Sequence, residues 1–479
     1  MKDKVLSHSL SYGAATIISR GTLLVALLVF PALLQPADYG ALAMVLAIAA
    51  LVNLIVPVEV TQGLARYYPE SAPGDKKLYA SAAWWFSLAM LGAFLTLGQL
   101  FADPLCRLIL GSADYILPFR VGLLLMAGNT IFYTIQSQFR WEFRPSDYVV
   151  VSCVYSLLTL ALSVLLAWLA SPPLLGILAG QFIGAAIAII VGMDRLRNSF
   201  MPRLDWPKLG AMLRFSLPLV PASLALFLSV YASRLILNGM SSLADVGVYT
   251  FASQIAAIAT LTVLGVQAAL TPLIMAHYLE PETPSTVARL FEGFVATAWP
   301  LCLALGLFAP EAIALLGLDG YSRAGPLVMI LAPALLMLQM YIFFPGFAIA
   351  KKTVWQMWVS IVGAIICVAA NFLLIRFWGV AGAAAATLLA ATVFLALWLS
   401  LSQRLYPVPV RWLRVAACSA VAASAGAAGI SLDYPNLAVA LIVKSALTLI
   451  VFGWAVATGL LPLARGIQAG KTFLTGLRR

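Results

Sequence analysis

The chain has 479 residues, of which 63% are hydrophobic and only 10% are charged, and its formal net charge is +11. Soluble domains carry about 25% charged residues, so the composition excludes an ordinary soluble protein and predicts a polytopic membrane protein. The two histidines and five widely separated cysteines form no metal-ligand or CxxC pattern, so we expect no metal, no cofactor and no disulfide.

A helix of about 20 apolar residues crosses the hydrocarbon core of a bilayer. Fourteen apolar runs of suitable length follow one another along the chain. They cover residues 11–34, 39–62, 79–101, 116–139, 147–170, 174–193, 215–238, 246–270, 287–309, 325–349, 354–375, 379–402, 415–430 and 437–460. The first run lacks the cleavage site of a secretory signal, so we expect it to remain as a helix. The thirteenth is the shortest, and it is rich in Ala, Gly and Ser.

The distribution of Lys and Arg predicts the orientation of these spans. Of the 29 basic residues, Arg107, Arg323 and Arg376 fall on one side, and four more lie within spans, which leaves 22 on the side of the N-terminus. The positive-inside rule therefore places both termini in the cytoplasm. Topology accounts for the net charge, and no nucleic-acid partner is needed to explain it.

Three pairs of short motifs recur along the chain. "ADYG" at Asp38 and Gly40 returns as "ADVG" at Asp245 and Gly247, at an offset of 207 residues. "LGSADY" and "LGLDGY" follow at an offset of 206, and "LGILAG" and "WGVAGA" at 203. The nearly constant spacing predicts a duplicated unit of six spans and hence parallel repeats. We expect an all-α membrane protein with lobes at 1–208 and 209–408, followed by two appended helices and a cytoplasmic tail at 409–479.

Four sequences carry a family resemblance: "RLDWPKLGAMLRFSLPLVPA" (203–222), "ADYGALAMVLA", "ARYYPE" and "YPVPVRWLR" (406–414). Together they resemble the polysaccharide transporter branch of the MOP superfamily, which has a MATE-like fold. The resemblance implies a Wzx-type flippase of the bacterial inner membrane. Such a protein moves undecaprenyl-diphosphate-linked oligosaccharides from the cytoplasmic to the periplasmic leaflet for O-antigen, capsule or exopolysaccharide assembly. It also implies a monomer with polysaccharide polymerase and chain-length proteins as partners. Where many members have an acidic residue before the basic one in the seventh span, this chain has Ser233 before Arg234.

A diphosphate cargo requires a cation on the route, and arginine offers a planar fork of donors that keeps its charge. Arg20 lies near the middle of the first span and Arg234 late in the seventh, so these are the main substrate-binding candidates. An internal salt bridge for Arg20 and snorkelling to the surface for Arg234 are the alternatives.

Further polar residues within the spans are weaker candidates. Snorkelling is favoured for Arg120 and Lys444, and helix-to-helix hydrogen bonding for the amides. The amides are Gln254, Gln267, Gln339, Asn53 and Asn129. Glu59 and Glu292 could couple transport to ions, although solvated charges at span ends are favoured for both.

Two rival functions remain. A MATE-like multidrug exporter would share the twin bundles, but a site for cations calls for acidic residues, whereas the deep charge here is mainly basic. A membrane glycosyltransferase or polymerase usually carries a large catalytic segment, and the longest segment between spans covers only residues 194–214. We therefore expect a transporter and not an enzyme.

Overall fold

The computed structural model describes residues 19–432 and 434–460, and all regular structure within these ranges is helical. We number the helices α1 to α18 in chain order. They are Ser19–Leu33, Pro36–Ile55, Val60–Tyr67, Pro73–Leu100, Ala102–Leu110, Ile116–Trp141, Pro145–Leu169, Pro173–Leu196, Trp206–Ser216, Val220–Met240, Leu243–Ala257, Leu261–His277, Thr283–Leu315, Ala324–Met337, Gly346–Ile349, Thr353–Leu405, Trp412–Ser431 and Leu437–Ala457.

Each predicted span coincides with one or more of these helices. Within the described residues, twelve continuous helical segments are long and apolar enough to cross a membrane, and some of them join two of the numbered helices through a short 3₁₀ turn. Helix α1 is the described part of the first span. The eleventh and twelfth spans both lie in the 53-residue α16, which bends back at Gly379 (φ 54°, ψ −128°). The bend forms a hairpin, since a Cβ on Gly382 would clash with the carbonyl oxygen of Leu374. The thirteenth span is a full 20-residue helix, α17. The protein is thus a multi-pass, all-α membrane protein.

Proline and glycine account for many of the helix ends. Prolines begin α2, α4, α7 and α8. The N–H that proline lacks would have no acceptor within the helix at this first position, so no hydrogen bond is lost. Gly111 and Gly317 follow α5 and α13 in the left-handed region, with φ of 73° and 67°. They are the glycines of the "LGSADY" and "LGLDGY" motifs, so the second repeated motif is a helix stop that requires glycine.

The first repeated motif is a contact between two helices. A Cβ on Gly40 would clash with the carbonyl oxygen of Leu243, and a Cβ on Gly247 would clash with that of Pro36. Pro36 corresponds to Leu243 at the 207-residue offset that relates the two glycines. The contact is therefore reciprocal, and glycine lets α2 and α11 approach backbone to backbone.

The third motif has a related role. Cβ atoms on Gly176, Gly180 and Gly184 of α8 would all clash with the backbone of α7, so these glycines close the α7–α8 hairpin. Gly382 does the same in the α16 hairpin, and it lies 206 residues after Gly176. The structural match thus falls nearer the offset of the other two motifs than the 203 read from the sequence.

The chain divides at Gly247 into two compact units. In the first unit α9 packs on α3 and α4, where Leu209 and Met212 join a buried cluster with Val60 and Leu64. This unit also includes α10, although the expected lobe boundary lay at 208/209. In the second unit the appended α17 and α18 pack on α13 through a cluster that includes Leu303, Leu307 and Val451.

Candidate functional site

Arg20, near the start of the described part of α1, lies beside the middle of α7. Ser19 Oγ is 2.9 Å from Ser156 Oγ of α7, in a hydrogen bond that either hydroxyl can donate. Ser156 lies 11 residues after Pro145, so it is about 17 Å along a helix about 37 Å long. The side chain of Arg20 is exposed on its unit, and within the described residues it has no hydrogen bond or ion pair. The salt-bridge alternative thus finds no partner in this part of the chain.

Polar pairs join α6 and α7 below this point. Tyr155 Oη donates to Asn129 Oδ1 at 2.9 Å, and Gln136 Nε2 donates to Ser152 Oγ at 2.9 Å. Asn129 therefore hydrogen-bonds between helices, as the alternative for the amides predicted. With Ser19 and Ser156, these pairs form a polar line on the α7 side that runs toward Arg20.

Arg234 belongs to the same unit as Arg20, six residues before the end of α10. Its guanidinium carbon lies 5.4 Å from the ring centre of Tyr231, which stacks on Phe227 at 4.9 Å. The side chain is half-buried. A guanidinium held over an aromatic face keeps its charge while part of its hydration shell is lost.

Lys444 is buried and does not snorkel, contrary to the favoured alternative. Its ammonium donates to Glu311 Oε1 and, at 2.8 Å, to the carbonyl oxygen of Leu307, both on α13. It also lies 5.2 Å from the ring centre of Tyr434. Glu311 is not among the residues predicted from the sequence, because the apolar run of the ninth span ends at residue 309, whereas α13 continues to Leu315. The pair holds α18 against α13.

Glu292 is also buried, at 2% exposure, so the expected solvated charge is wrong. Its carboxylate accepts from the backbone N–H and the Nε of Arg411, each at 2.8 Å, and from Arg411 Nη2. Those bonds raise the pKa of the Arg411 guanidinium, which lies just before α17. Arg411 also donates to the carbonyl oxygen of Gly459 at 3.0 Å. The acid therefore anchors the start of α17 and the end of α18.

The other candidates are dispersed. Glu59 lies between α2 and α3, where its side chain is half-buried and its backbone is in the left-handed region (φ 51°). Arg120 is exposed on α6, and its carbonyl oxygen accepts from Gln99. Asn53 is half-buried on α2. The remaining amides lie in the second unit and are half-buried: Gln254, Gln267 and Gln339. Within the described ranges, no group of His, Cys, Asp and Glu could hold a metal ion.

Comparison with known proteins identifies the family and the fold. A family model described as "polysaccharide biosynthesis protein" matches residues 29–321. The chain resembles the lipid II flippase MurJ in its inward closed conformation, with a TM-score of 0.74 and 10% identity over 95% of this chain and 98% of that chain. It also resembles an inward-facing MATE multidrug transporter of the MOP superfamily, with a TM-score of 0.66 and 15% identity over 83% and 99%. No curated protein sequence matches the chain. At these identities the structural likeness establishes a MurJ/MATE-like fold and nothing further.

Proposed function

The chain belongs to the polysaccharide biosynthesis protein family, and we therefore propose that it flips a lipid-linked oligosaccharide. The proposed cargo is an undecaprenyl-diphosphate-linked repeat unit, and the proposed direction is from the cytoplasmic to the periplasmic leaflet of the bacterial inner membrane. Alternating access between two lobes would carry the unit across, with both termini in the cytoplasm. The lobes proposed are residues 1–208 and 209–408, with 409–479 appended.

The observation that carries this proposal is the placement of Arg20. An arginine at the centre of a membrane helix costs roughly 2.5 to 3.5 kcal/mol, so such residues normally face a partner or a wet cavity. Arg20 is at mid-height beside α7, and the described residues offer it no carboxylate. A diphosphate headgroup would supply the missing charge and accept two parallel hydrogen bonds from the guanidinium.

The charge distribution also bears on the multidrug rival, because MurJ-like and MATE-like proteins share the fold. Export of organic cations calls for an available carboxylate within the spans. In the described part of the chain, Glu292 is bound to Arg411 and Glu311 to Lys444, both by ion pairs. Two of the acids that a cation site would use are thus already engaged, which supports an anionic cargo.

The test is transport in reconstituted vesicles that contain a defined undecaprenyl-diphosphate oligosaccharide in one leaflet. Arg20→Ala should abolish transport, and Arg20→Lys, a point charge without the fork, should keep only part of it. Arg66→Ala is the matched control, because Arg66 is exposed and pairs with Glu70 within its own helix region. Normal transport by a folded Arg20→Ala protein would exclude the proposed role of Arg20. No transport by the unmodified protein would exclude the proposed cargo.

A further inference from the structure

Arg140 lies in the last turn of α6, and its side chain runs back along the helix toward the middle of α6. Its guanidinium carbon lies 5.9 Å from the ring centre of Tyr133, which is seven residues earlier, or about 10 Å deeper along the helix axis. Its Nη2 donates to Ser137 Oγ at 3.0 Å, and Ser137 is itself buried. An arginine at the end of a membrane helix can reach the nearby water by extending outward. This one extends the other way.

The acids nearest in sequence are occupied by other residues. Glu142 accepts from Gln138 at 2.8 Å and from Arg144 at 3.3 Å. Asp147 accepts from Arg144 at 2.7 Å and also from Arg195. The charges of Arg144 and Arg195 are therefore balanced locally. Among the described residues, Arg140 has no carboxylate partner.

The donors of Arg140 are also incompletely used. Its Nε is buried and has no acceptor from the protein in the described part of the chain. A guanidinium carries five N–H groups in a fixed fork, and a buried donor without an acceptor costs free energy. The side chain thus combines an unbalanced charge, unused donors and an aromatic ring beneath it. An anion with several oxygens, above all a phosphate, would balance the charge and accept from the unused donors, while the ring stabilises the guanidinium itself.

We propose that Arg140, Ser137 and Tyr133 form a phosphate-binding subsite that receives the diphosphate headgroup where the cargo enters the protein. This inference rests on the proposed function, which supplies the diphosphate lipid and puts this end of α6 at the cytoplasmic surface. Arg140 binds two phosphate oxygens, Ser137 orients the guanidinium, and the ring of Tyr133 supports it from below. The Asn129–Tyr155 and Gln136–Ser152 pairs continue from this end of α6 and α7 toward Ser156, which contacts the residue before Arg20. The cargo therefore meets two cationic binding sites in turn, first this subsite and then Arg20.

The direct test is binding of farnesyl diphosphate, a short prenyl diphosphate, to the purified full-length protein in detergent by calorimetry. We expect Arg140→Gln to weaken binding by about tenfold and Arg140→Lys to weaken it less, because lysine keeps the charge but not the fork. Tyr133→Leu should weaken binding, whereas Tyr133→Phe, which keeps the ring, should not. Arg66→Gln removes one exposed charge elsewhere in the same unit and is the control for the overall field. Equal loss in Arg140→Gln and Arg66→Gln would overturn the proposal.

Three further probes separate the possible sources of phosphate. Farnesol, which lacks the diphosphate, should bind weakly and without regard to Arg140. If inorganic diphosphate binds as tightly as farnesyl diphosphate, or if phosphatidylglycerol displaces it fully, the assignment to a lipid-diphosphate cargo is wrong. Should Arg140→Gln fail to fold, as judged by its melting temperature, Arg140→Lys and the two Tyr133 variants decide the result.

Transport kinetics distinguish this inference from the proposed function. Loss of a loading residue, as in Arg140→Gln, should raise the substrate concentration needed for half-maximal transport and leave the maximal rate unchanged, whereas Arg20→Ala should lower the maximal rate. Transport by the unmodified protein with an unaltered concentration dependence in Arg140→Gln would refute the subsite alone. Absence of transport by the unmodified protein would refute the proposed function.

Discussion

Replacing Glu292 with glutamine tests whether this acid is a coupling group or an anchor. The carboxylate is 2% exposed and receives three hydrogen bonds from Arg411, two of them at 2.8 Å. Glutamine keeps one acceptor oxygen but loses the charge, and it turns an NH₂ group toward a second donor. Hydrogen bonds to charged groups contribute roughly 1.5 to 3 kcal/mol each, and breaking a buried ion pair costs about 3 to 5 kcal/mol. Because the Arg411 side chain is 43% exposed, water recovers part of that loss. We expect a destabilisation of about 2 kcal/mol.

The measurement is the apparent melting temperature in detergent, together with transport normalised to folded protein. Glu292→Gln should melt several degrees lower and yet transport normally per folded molecule. A double-mutant cycle with Arg411→Gln should show a coupling energy, because the two residues are in direct contact. Arg404→Gln is a suitable control, since Arg404 is a basic residue at the end of α16 outside this cluster. Unchanged stability together with lost ion-driven transport would refute the anchoring role and restore Glu292 as a coupling acid.

Four further predictions follow from the structure and the proposed topology. Gly40→Ala and Gly247→Ala each place a methyl group against a facing carbonyl oxygen, so both should impair transport in cells, whereas Gly239→Ala, with open space around it, should not. Lys444→Met alone should destabilise the protein to heat, and adding Glu311→Gln should recover part of that loss, because a lone buried charge costs more than a neutral pair. Cysteines near Lys76 or Arg197 should react only with membrane-permeant reagents, whereas those near Asp245 or Gly320 should also react with impermeant ones; the opposite pattern would reverse the topology. An inside-negative potential without an ion gradient should speed export, at about 2.3 kcal/mol per charge per 100 mV, and loss of transport in Glu59→Gln would instead indicate ion coupling.

The spans could be read from the sequence because they depend on local composition. Each membrane helix satisfies its backbone hydrogen bonds within its own segment, so a run of apolar residues predicts a helix without knowledge of its neighbours. The position of Arg20 within its run likewise predicts that it lies near the middle of the membrane. The glycines Gly111 and Gly317 could also be recognised from the sequence. Each adopts a left-handed backbone conformation at the end of its own helix, which is a local requirement for glycine.

Contacts between distant segments could not be read in this way. Lys444 pairs with Glu311, 133 residues earlier, and Arg411 with Glu292, 119 residues earlier, so neither pair produces a local signal. The reason that Gly40 and Gly247 are glycines, namely the approach of two backbones, also became visible only when α2 and α11 were placed side by side. Arg140 shows the same limit most clearly. Its position in the sequence predicts a basic residue at the cytoplasmic surface. In the structure its guanidinium lies over the ring of Tyr133, and the nearby carboxylates of Glu142 and Asp147 are engaged by Arg144. Composition fixes which segments enter the membrane because desolvation acts on each residue separately, but packing decides the partner of each charge because electrostatic pairing depends on distance in space.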